Sequence, residues 1–314
     1  MRHAAGWSGI LAALLAAGCS APLVRMDRDL DRYSSAALKT YELGDPRKAA
    51  EYYRQALARA RATDLRDEVA RGSFNLAVCL AEIGQLDEAR WRMRDARQDF
   101  AGSAENSIRS YLLEGRWAEE QGDPVEAQAL ALGALQAGAD RYPDLAAQSH
   151  LLLAQIATTG GDLERGHQEV AAGRKAARKH RNPGVMGQVE RELARIATQE
   201  NRPAEAAAHQ DARADWLRRA GEFRGMAAAL QAAGDAYVQC AADREAVDRY
   251  FRAARSYWGQ HDAAAARTAL ARASLAARTL DDKDWRERIV ALQEEIEPGS
   301  GALPGAVESG AEVR

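Results

Sequence analysis

Aromatic residues are scarce in this chain, since Phe, Trp and Tyr together make up 6% of its 314 residues, and its eight prolines are scattered. Alanine, with 70 residues, and other good helix formers dominate instead, so we expect an all-α protein. An excess of charge of one sign is also missing. The 43 basic and 46 acidic residues give a net charge of −3, which excludes bulk electrostatic binding of nucleic acid or of an anionic membrane.

The only apolar run that stands out lies at the amino terminus. It covers residues 4–17, follows a short basic start, and is too short to span a bilayer as a helix. It ends at Leu15-Ala16-Ala17-Gly18-Cys19, which resembles the lipobox of bacterial lipoproteins. The resemblance implies a signal peptide over 1–18, a lipidated Cys19 and a tether over 19–26, with Ser20 favouring the outer membrane. The alternative is an ordinary signal peptide in which Cys19 is incidental.

A repeat with a period near 40 residues organises the rest of the chain. Its turn column holds small or turn-forming residues: Gly44, Gly84, Gly122, Gly161, Asn201 and Ala241. The columns seven residues before and five residues after each turn hold only Ala or Gly. A third column, twelve residues after the turn, is also Ala or Gly except at Arg213. Such columns predict helical hairpins, because small residues let paired helices approach closely.

The turns themselves contain helix stop and start signals. Glycine at positions 44 and 122 can take the left-handed conformation that ends a helix, and Gly-Asp-Pro then supplies a capping Asp and a first-turn Pro. Gly84-Gln85-Leu86 keeps the glycine and lacks the cap. These turns and the Asn75-Leu76-Ala77 and Asp87-Glu88-Ala89 segments resemble the tetratricopeptide repeat family. The period exceeds that family's usual 34 residues by about five.

The resemblance covers residues 27–296 and implies an all-α, α-solenoid fold of about six hairpins. A seventh pair, around 262–280 and 284–296, lacks the pattern and is expected to cap the array. Residues 297–314 contain Pro298-Gly299-Ser300-Gly301 and are expected to form a flexible tail.

Motifs that carry catalysis or metal binding are not found. The six histidines form no His-x-x-x-His pair, and no phosphate-binding loop or nucleophile elbow follows a strand. Cys79 and Cys240 lie four repeats apart, so we interpret both as buried apolar thiols rather than as a disulfide or a metal site. We therefore expect no enzyme activity, no cofactor and no metal.

The candidate binding site follows from the family resemblance, which places the first helix of each hairpin along a concave groove. Positions thirteen, ten and six residues before each turn are taken to face inward, and some of them are apolar, as at Phe74, Leu112 and Leu151. The polar set is Arg71, Asn75, Arg109, Arg116, Gln148, Gln155, Gln188, Arg191, Arg195, Gln231 and Asp235. Forked guanidinium donors suit carboxylates and peptide backbone, so the expected partner is a protein segment of acidic or carboxy-terminal character, not nucleic acid. The alternative is that these are ordinary residues of a hydrated surface.

Together these features predict an outer-membrane lipoprotein that faces the periplasm and serves as a scaffold in assembly of an envelope complex. Its only membrane contact would be the lipid on Cys19. Two alternatives stay open: an accessory regulator of an envelope enzyme such as a peptidoglycan synthase, and a cytosolic sensor if the signal is misread. The function rests on analogy of architecture, and fold alone does not determine function.

Overall fold

The computed structural model describes residues 27–100, 103–178, 180, 182–280 and 282–297. Within these residues the chain forms 14 α-helices, one short 3-10 helix and no strand. The helices are α1 (Arg28–Glu42), α2 (Pro46–Ala62), α3 (Arg66–Glu82), α4 (Leu86–Asp99), α5 (Ala104–Glu120), α6 (Pro124–Gln136), the 3-10 helix (Ala139–Arg141), α7 (Pro143–Thr159), α8 (Leu163–Ala177), α9 (Pro183–Gln199), α10 (Pro203–Ala220), α11 (Phe223–Gln239), α12 (Asp243–Gly259), α13 (Ala263–Ala277) and α14 (Lys283–Ile296). Consecutive helices pack in pairs, which confirms the predicted all-α solenoid of helical hairpins.

The turn column lies at the bend of each of the first six hairpins. All six of its residues have positive φ: Gly44 82°, Gly84 81°, Gly122 77°, Gly161 83°, Asn201 56° and Ala241 56°. Left-handed backbone ends the first helix and lets the chain reverse. The predicted caps also form, because Asp45, Asp123 and Asp162 each accept a hydrogen bond from the backbone N–H three residues later. The turn at Gln85 has no side-chain cap, as its sequence predicts.

The Ala and Gly columns form the packing surface between helices. All twelve residues of the two complete columns are buried, and so are the five small residues of the third. The fit is tight at Gly115, where an added Cβ would lie 2.9 Å from Leu152 Cδ2. Arg213, the exception in the third column, is only partly buried. Small residues are therefore required at these positions because a larger side chain would hold the helices apart.

The chain divides into two compact units, Met1–Val185 and Met186–Arg314. The first contains α1–α8, and one of its cores centres on Leu76, Leu80 and Met93. The second contains α10–α14 and nearly all of α9, and its core includes Tyr250 and Phe251 of α12. The seventh pair, α13 and α14, packs on α12 with Trp285 edge-on to Phe251, their ring centroids 5.6 Å apart.

Several sequence predictions concern residues outside those described, namely the signal peptide over 1–18, Cys19, the tether over 19–26 and the tail beyond Glu297. Among the helices of the described ranges, none is both long and apolar enough to cross a membrane. The interpretation of both remaining thiols as buried is correct for Cys79 and wrong for Cys240. Cys240 follows the last turn of α11 and is only partly buried because it lies at the helix end rather than on the packed face.

Candidate partner-binding face

The polar side chains predicted to line a groove all lie on the first helices of hairpins two to six. They are distributed over α3 (Arg71, Asn75), α5 (Arg109, Arg116), α7 (Gln148, Gln155), α9 (Gln188, Arg191, Arg195) and α11 (Gln231, Asp235). Each is partly or fully exposed. The apolar residues expected on the same face expose little surface there: Phe74, Leu112 and Leu151 are buried in the cores. The face available to a partner is therefore polar, because hydrophobic burial turns the apolar positions toward the neighbouring helices.

In the first unit, one hydrogen bond joins two of the predicted residues across neighbouring hairpins. Arg116 Nη2 of α5 donates to Gln148 Oε1 of α7 at 3.2 Å. Arg109, Leu112 and Leu145 surround this contact and form with it a shallow depression of about 10 Å³. That volume is enough for about one water molecule. The surface can accept side chains of a partner laid across it, but it is not a pocket for a small molecule.

The other arginines of the first unit are held by acids of their own helices. Arg109 Nη2 lies 2.6 Å from Glu105 Oε1, four residues earlier, and Arg71 bonds Glu68, three residues earlier. Such partly exposed intrahelical pairs contribute little to stability. They orient the guanidinium groups while leaving them exchangeable with the carboxylates of a partner. Asn75 and Gln155 lie on the same helices and remain partly exposed.

In the second unit, a buried carboxylate holds two of the predicted arginines. Glu192 is 1% exposed, and its Oε1 accepts a hydrogen bond from Arg191 Nε at 3.0 Å. Arg195 Nη1 lies 3.7 Å from the other oxygen, Oε2. Glu192 turns into the protein while both arginines extend toward solvent. One buried negative charge thus lies beside the guanidinium groups of two arginines whose side chains are 45% and 34% exposed.

Arg213 of α10 adds a third guanidinium to this region. Burial, and next the charge of Arg191, lower the pKa of Arg213 to about 10, although the negative charges of Glu192 and Glu222 act in the opposite direction. Its only hydrogen bond from the side chain to a described group goes to Gln210 Oε1 at 3.3 Å. Arg191, Arg195 and Arg213 therefore place three positive charges around the buried carboxylate of Glu192, and Glu222 also lies close enough to act on Arg213. A carboxylate from a partner would be attracted to this cluster of guanidinium groups.

Asp235 is already engaged within the second unit. It accepts hydrogen bonds from Tyr250 Oη at 2.6 Å and from Arg272 Nη1 of α13. Burial, and next the hydrogen bond to Asp235, raise the pKa of Tyr250, although Arg272 acts in the opposite direction. Asp235 therefore links α11 to α12 and to the seventh hairpin. Its first role is to hold these helices together, and binding of a partner comes second. Gln231, one turn earlier, is partly exposed.

The predicted set misses three residues that shape this face: Glu192, Arg213 and Arg272. Arg213 could have been found, because it is the one exception in the third small-residue column. Glu192 is adjacent to Arg191 in sequence, but nothing in the pattern distinguishes it from the other acids. Arg272 belongs to the capping pair, which lacks the repeat pattern and so could not be aligned with the other hairpins.

Comparison with solved structures supports the hairpin architecture. The apo form of RapI is 12% identical over 80% of this chain and 98% of its own, with a TM-score of 0.56. PilW, described as a type IV pilus biogenesis factor, is 16% identical over 83% of this chain and 99% of its own, with a TM-score of 0.49. A tetratricopeptide repeat protein from Parabacteroides merdae is 12% identical over 85% of this chain and 100% of its own, with a TM-score of 0.47.

The similarity to RapI concerns the fold alone, and the two weaker similarities carry no further conclusion. No protein-family model matches the chain, and no curated protein sequence matches it.

Proposed function

The chain has the tetratricopeptide-repeat fold, and from this premise we propose that it is a non-catalytic scaffold that binds a segment of a partner protein. The binding surface is the polar face of the first helices, from Arg71 to Gln155 in the first unit and from Gln188 to Gln231 in the second. Hydrogen-bond donors dominate this face. Extended or helical peptides present carbonyl and carboxylate acceptors that such donors can bind.

The observation that carries the proposal is the cluster of three guanidinium groups around Glu192. Arg191 and Arg195 are partly exposed and already oriented by Glu192, so little conformational entropy is lost when a carboxylate binds them. Arg213 is destabilised in its charged form by its surroundings, and an incoming anion would relieve that cost. The partner segment is therefore acidic, or it ends in a free carboxylate.

A charge-removing double variant tests this proposal. Arg191→Gln with Arg195→Gln keeps long polar side chains while removing both positive charges. Tagged full chain would be cross-linked in intact cells and the co-purified proteins identified by mass spectrometry. We expect at least one protein recovered with the wild type to be lost from the double variant.

A matched control removes the same charge elsewhere in the second unit. Arg244 and Arg255 are exposed residues of α12, outside the proposed face. Arg244→Gln with Arg255→Gln should leave recovery of the partner unchanged, and circular dichroism should show that both double variants stay folded. Equal recovery with all three proteins would exclude the second-unit face as the binding surface.

We further propose that the scaffold is anchored in the outer membrane through Cys19 and faces the periplasm. The support is the resemblance of residues 15–19 to a lipobox. Metabolic labelling with a radioactive fatty acid should mark the wild type but not Cys19→Ala, and globomycin should cause the precursor to accumulate. A labelled Cys19→Ala variant or an unaffected precursor would leave the peptide-binding proposal intact and remove the anchor.

The same cross-linking experiment separates the possible roles at the envelope. Recovery of components of an assembly machine would support a role in envelope assembly. Recovery of an enzyme such as a peptidoglycan synthase would support a regulatory role instead.

A further inference from the structure

The seventh hairpin leaves a groove open between its two helices, α13 and α14. The groove, which we call the terminal groove, has a volume of about 470 Å³, and its lining includes Leu275 and Arg278 of α13 and Gln293 of α14. The position seven residues before the turn is buried in all six preceding hairpins, whereas Ser274, forty residues after Gly234, is exposed in the groove. Part of the face of α13 that packs on a second helix in the other hairpins is therefore open here.

Each helix of this hairpin carries one large apolar side chain that is exposed beside the groove. Leu275 of α13 is 64% exposed, and Val290 of α14 is 52% exposed. Val290 lies one turn before Gln293, on the side of α14 that borders the groove. Removal of both apolar side chains from water would be favourable, so a partner that covers them gains binding free energy.

A charge of opposite sign accompanies each of these two apolar residues. Arg278 follows Leu275 by three residues and Glu294 follows Val290 by four, so each apolar residue shares a helix face with its charge. Both charged side chains are exposed, and neither has an ion-pair or hydrogen-bond partner within the described part of the chain. The two helices therefore carry complementary surfaces, with the apolar and the charged residue in the same order along the chain.

These two surfaces are held apart within one chain. Arg278 lies at the bend of the hairpin, whereas Glu294 lies eleven residues along α14 from Lys283, about 16 Å from the bend. A two-fold axis near the middle of α14 brings the surfaces together in a pair of chains. It sets the two copies of α14 antiparallel, so that α14 of one copy runs parallel to α13 of the other.

We propose that the chain forms a two-fold dimer in which α14 of each copy lies in the terminal groove of the other. Val290 of one copy lies against Leu275 of the other, and Glu294 lies beside Arg278 of the other. A second copy is the favoured occupant because a two-fold interface needs a self-complementary surface, and this hairpin supplies both halves. The dimer surface is separate from the face around Arg191 and Arg195, so it does not depend on the proposed peptide binding.

Sedimentation velocity of the full chain at increasing protein concentration tests the dimer. We expect a monomer–dimer equilibrium with a dissociation constant of about 10 μM, because one hairpin offers a small interface. Leu275→Asp should remain monomeric throughout, since it places a charge in the apolar contact. Leu275 is exposed, so circular dichroism should show that this variant stays folded. A monomeric wild type, or association that persists in Leu275→Asp, would overturn the proposal.

Charge reversal provides a sharper test, because a symmetric dimer contains the contact between Arg278 and Glu294 twice. Arg278→Glu and Glu294→Arg each place like charges at both contacts, so each variant alone should dimerise about tenfold more weakly. An equimolar mixture of the two variants should recover most of the wild-type affinity, because a mixed dimer has opposite charges at both contacts. A mixture of folded variants that fails to recover would contradict this geometry.

Matched charge reversals on α12 control for the change in net charge. Arg255→Glu and Glu245→Arg alter exposed residues outside the proposed interface. Each should dimerise like the wild type. Equal weakening by the α12 variants and by the interface variants would show that net charge governs association, and it would overturn the proposed contact.

Discussion

His150 and Glu169 pair across the fourth hairpin, with His150 Nδ1 2.8 Å from Glu169 Oε2. Forty residues later, the same two repeat positions carry Glu190 and His209, and their side chains again lie 2.8 Å apart. The pair occupies the same two repeat positions in both hairpins. The histidine lies on the first helix of the fourth hairpin and on the second helix of the fifth. Each hairpin therefore accepts either orientation of the pair, because the two side chains meet midway between the helices.

The exchange predicts that the fourth hairpin will tolerate the arrangement of the fifth. We expect His150→Glu and Glu169→His each to lower the free energy of unfolding by about 1 kcal/mol, since each single change leaves two like side chains facing each other. The double variant should recover most of this loss. Urea denaturation of the four proteins gives the coupling energy, expected to be about 2 kcal/mol in favour of the double variant, because both single losses are mostly recovered.

Glu164, an exposed residue of α8, provides the control for this cycle. Glu164→His combined with His150→Glu should show no recovery, because Glu164 does not contact His150. If the effects of His150→Glu and Glu169→His on the free energy of unfolding were simply additive, a direct interaction between the two side chains would be contradicted.

Gly234 of α11 is expected to be among the most sensitive small residues. A Cβ added there would lie 2.7 Å from Tyr250 Cε1, and the ring is buried and tied to Asp235. The ring cannot move aside without breaking that hydrogen bond. Gly234→Ala should lower the free energy of unfolding by about 1–3 kcal/mol, measured by urea denaturation.

Gly72 of α3 supplies the opposite case. An added Cβ would meet its nearest atoms, those of Leu57, at 3.6 Å, an ordinary contact distance. Gly72→Ala should raise stability by up to about 1 kcal/mol, because alanine favours the helix and narrows the unfolded ensemble. Equal effects of the two substitutions would show that backbone propensity, not packing, decides the small-residue columns.

The hairpins could be predicted because their signals are local or strictly periodic. The six turns fall at the turn column, and Asp45, Asp123 and Asp162 cap the helices that follow. A residue at a turn needs left-handed backbone whatever surrounds it, and a residue between two helices must be small. Both requirements act at single positions, so they are visible in the sequence.

The face of the first helices was harder to predict because burial depends on neighbours distant in sequence. Phe74, Leu112 and Leu151 occupy positions equivalent to Arg191, yet they turn into the cores, since apolar side chains follow available apolar surface. Asp235 was predicted to be available for binding, but Arg272, 37 residues later, pairs with it. The repeat pattern identifies a position on a helix but not the contacts made by the next hairpin.

Glu114 of α5 is a buried carboxylate whose negative charge is required for the stability of the fold. It is 1% exposed and contacts Arg94 Nε at 3.2 Å, with Arg97 and Arg90 also beside it. Glu114→Gln retains the shape but leaves the guanidinium groups without their shared negative charge. We expect the free energy of unfolding to fall by about 2–4 kcal/mol, because uncompensated buried charge is costly. Thermal and urea denaturation both measure this loss.

Glu105 on the same helix is a matched control, since it also pairs with an arginine but its side chain is 40% exposed. Glu105→Gln should cost less than about 1 kcal/mol. If both substitutions lowered the free energy of unfolding equally, burial of Glu114 would not explain the larger contribution of its ion pairs.

Ala241 ends the first helix of the sixth hairpin in a conformation that suits glycine. Its φ is 56°, whereas four of the other five turns use glycine at the same position. A side chain in left-handed backbone costs about 1–2 kcal/mol, so Ala241→Gly should raise the free energy of unfolding by about 0.5–1 kcal/mol after the added freedom of the unfolded chain is subtracted. Gly161→Ala, at a site with φ of 83° and open space around the added Cβ, should lower it by a similar amount. Because no atom lies within 4 Å of a Cβ added at Gly161, packing does not interfere there. Opposite signs of the two effects would establish that backbone conformation selects the turn column, and a loss of stability in Ala241→Gly would refute it.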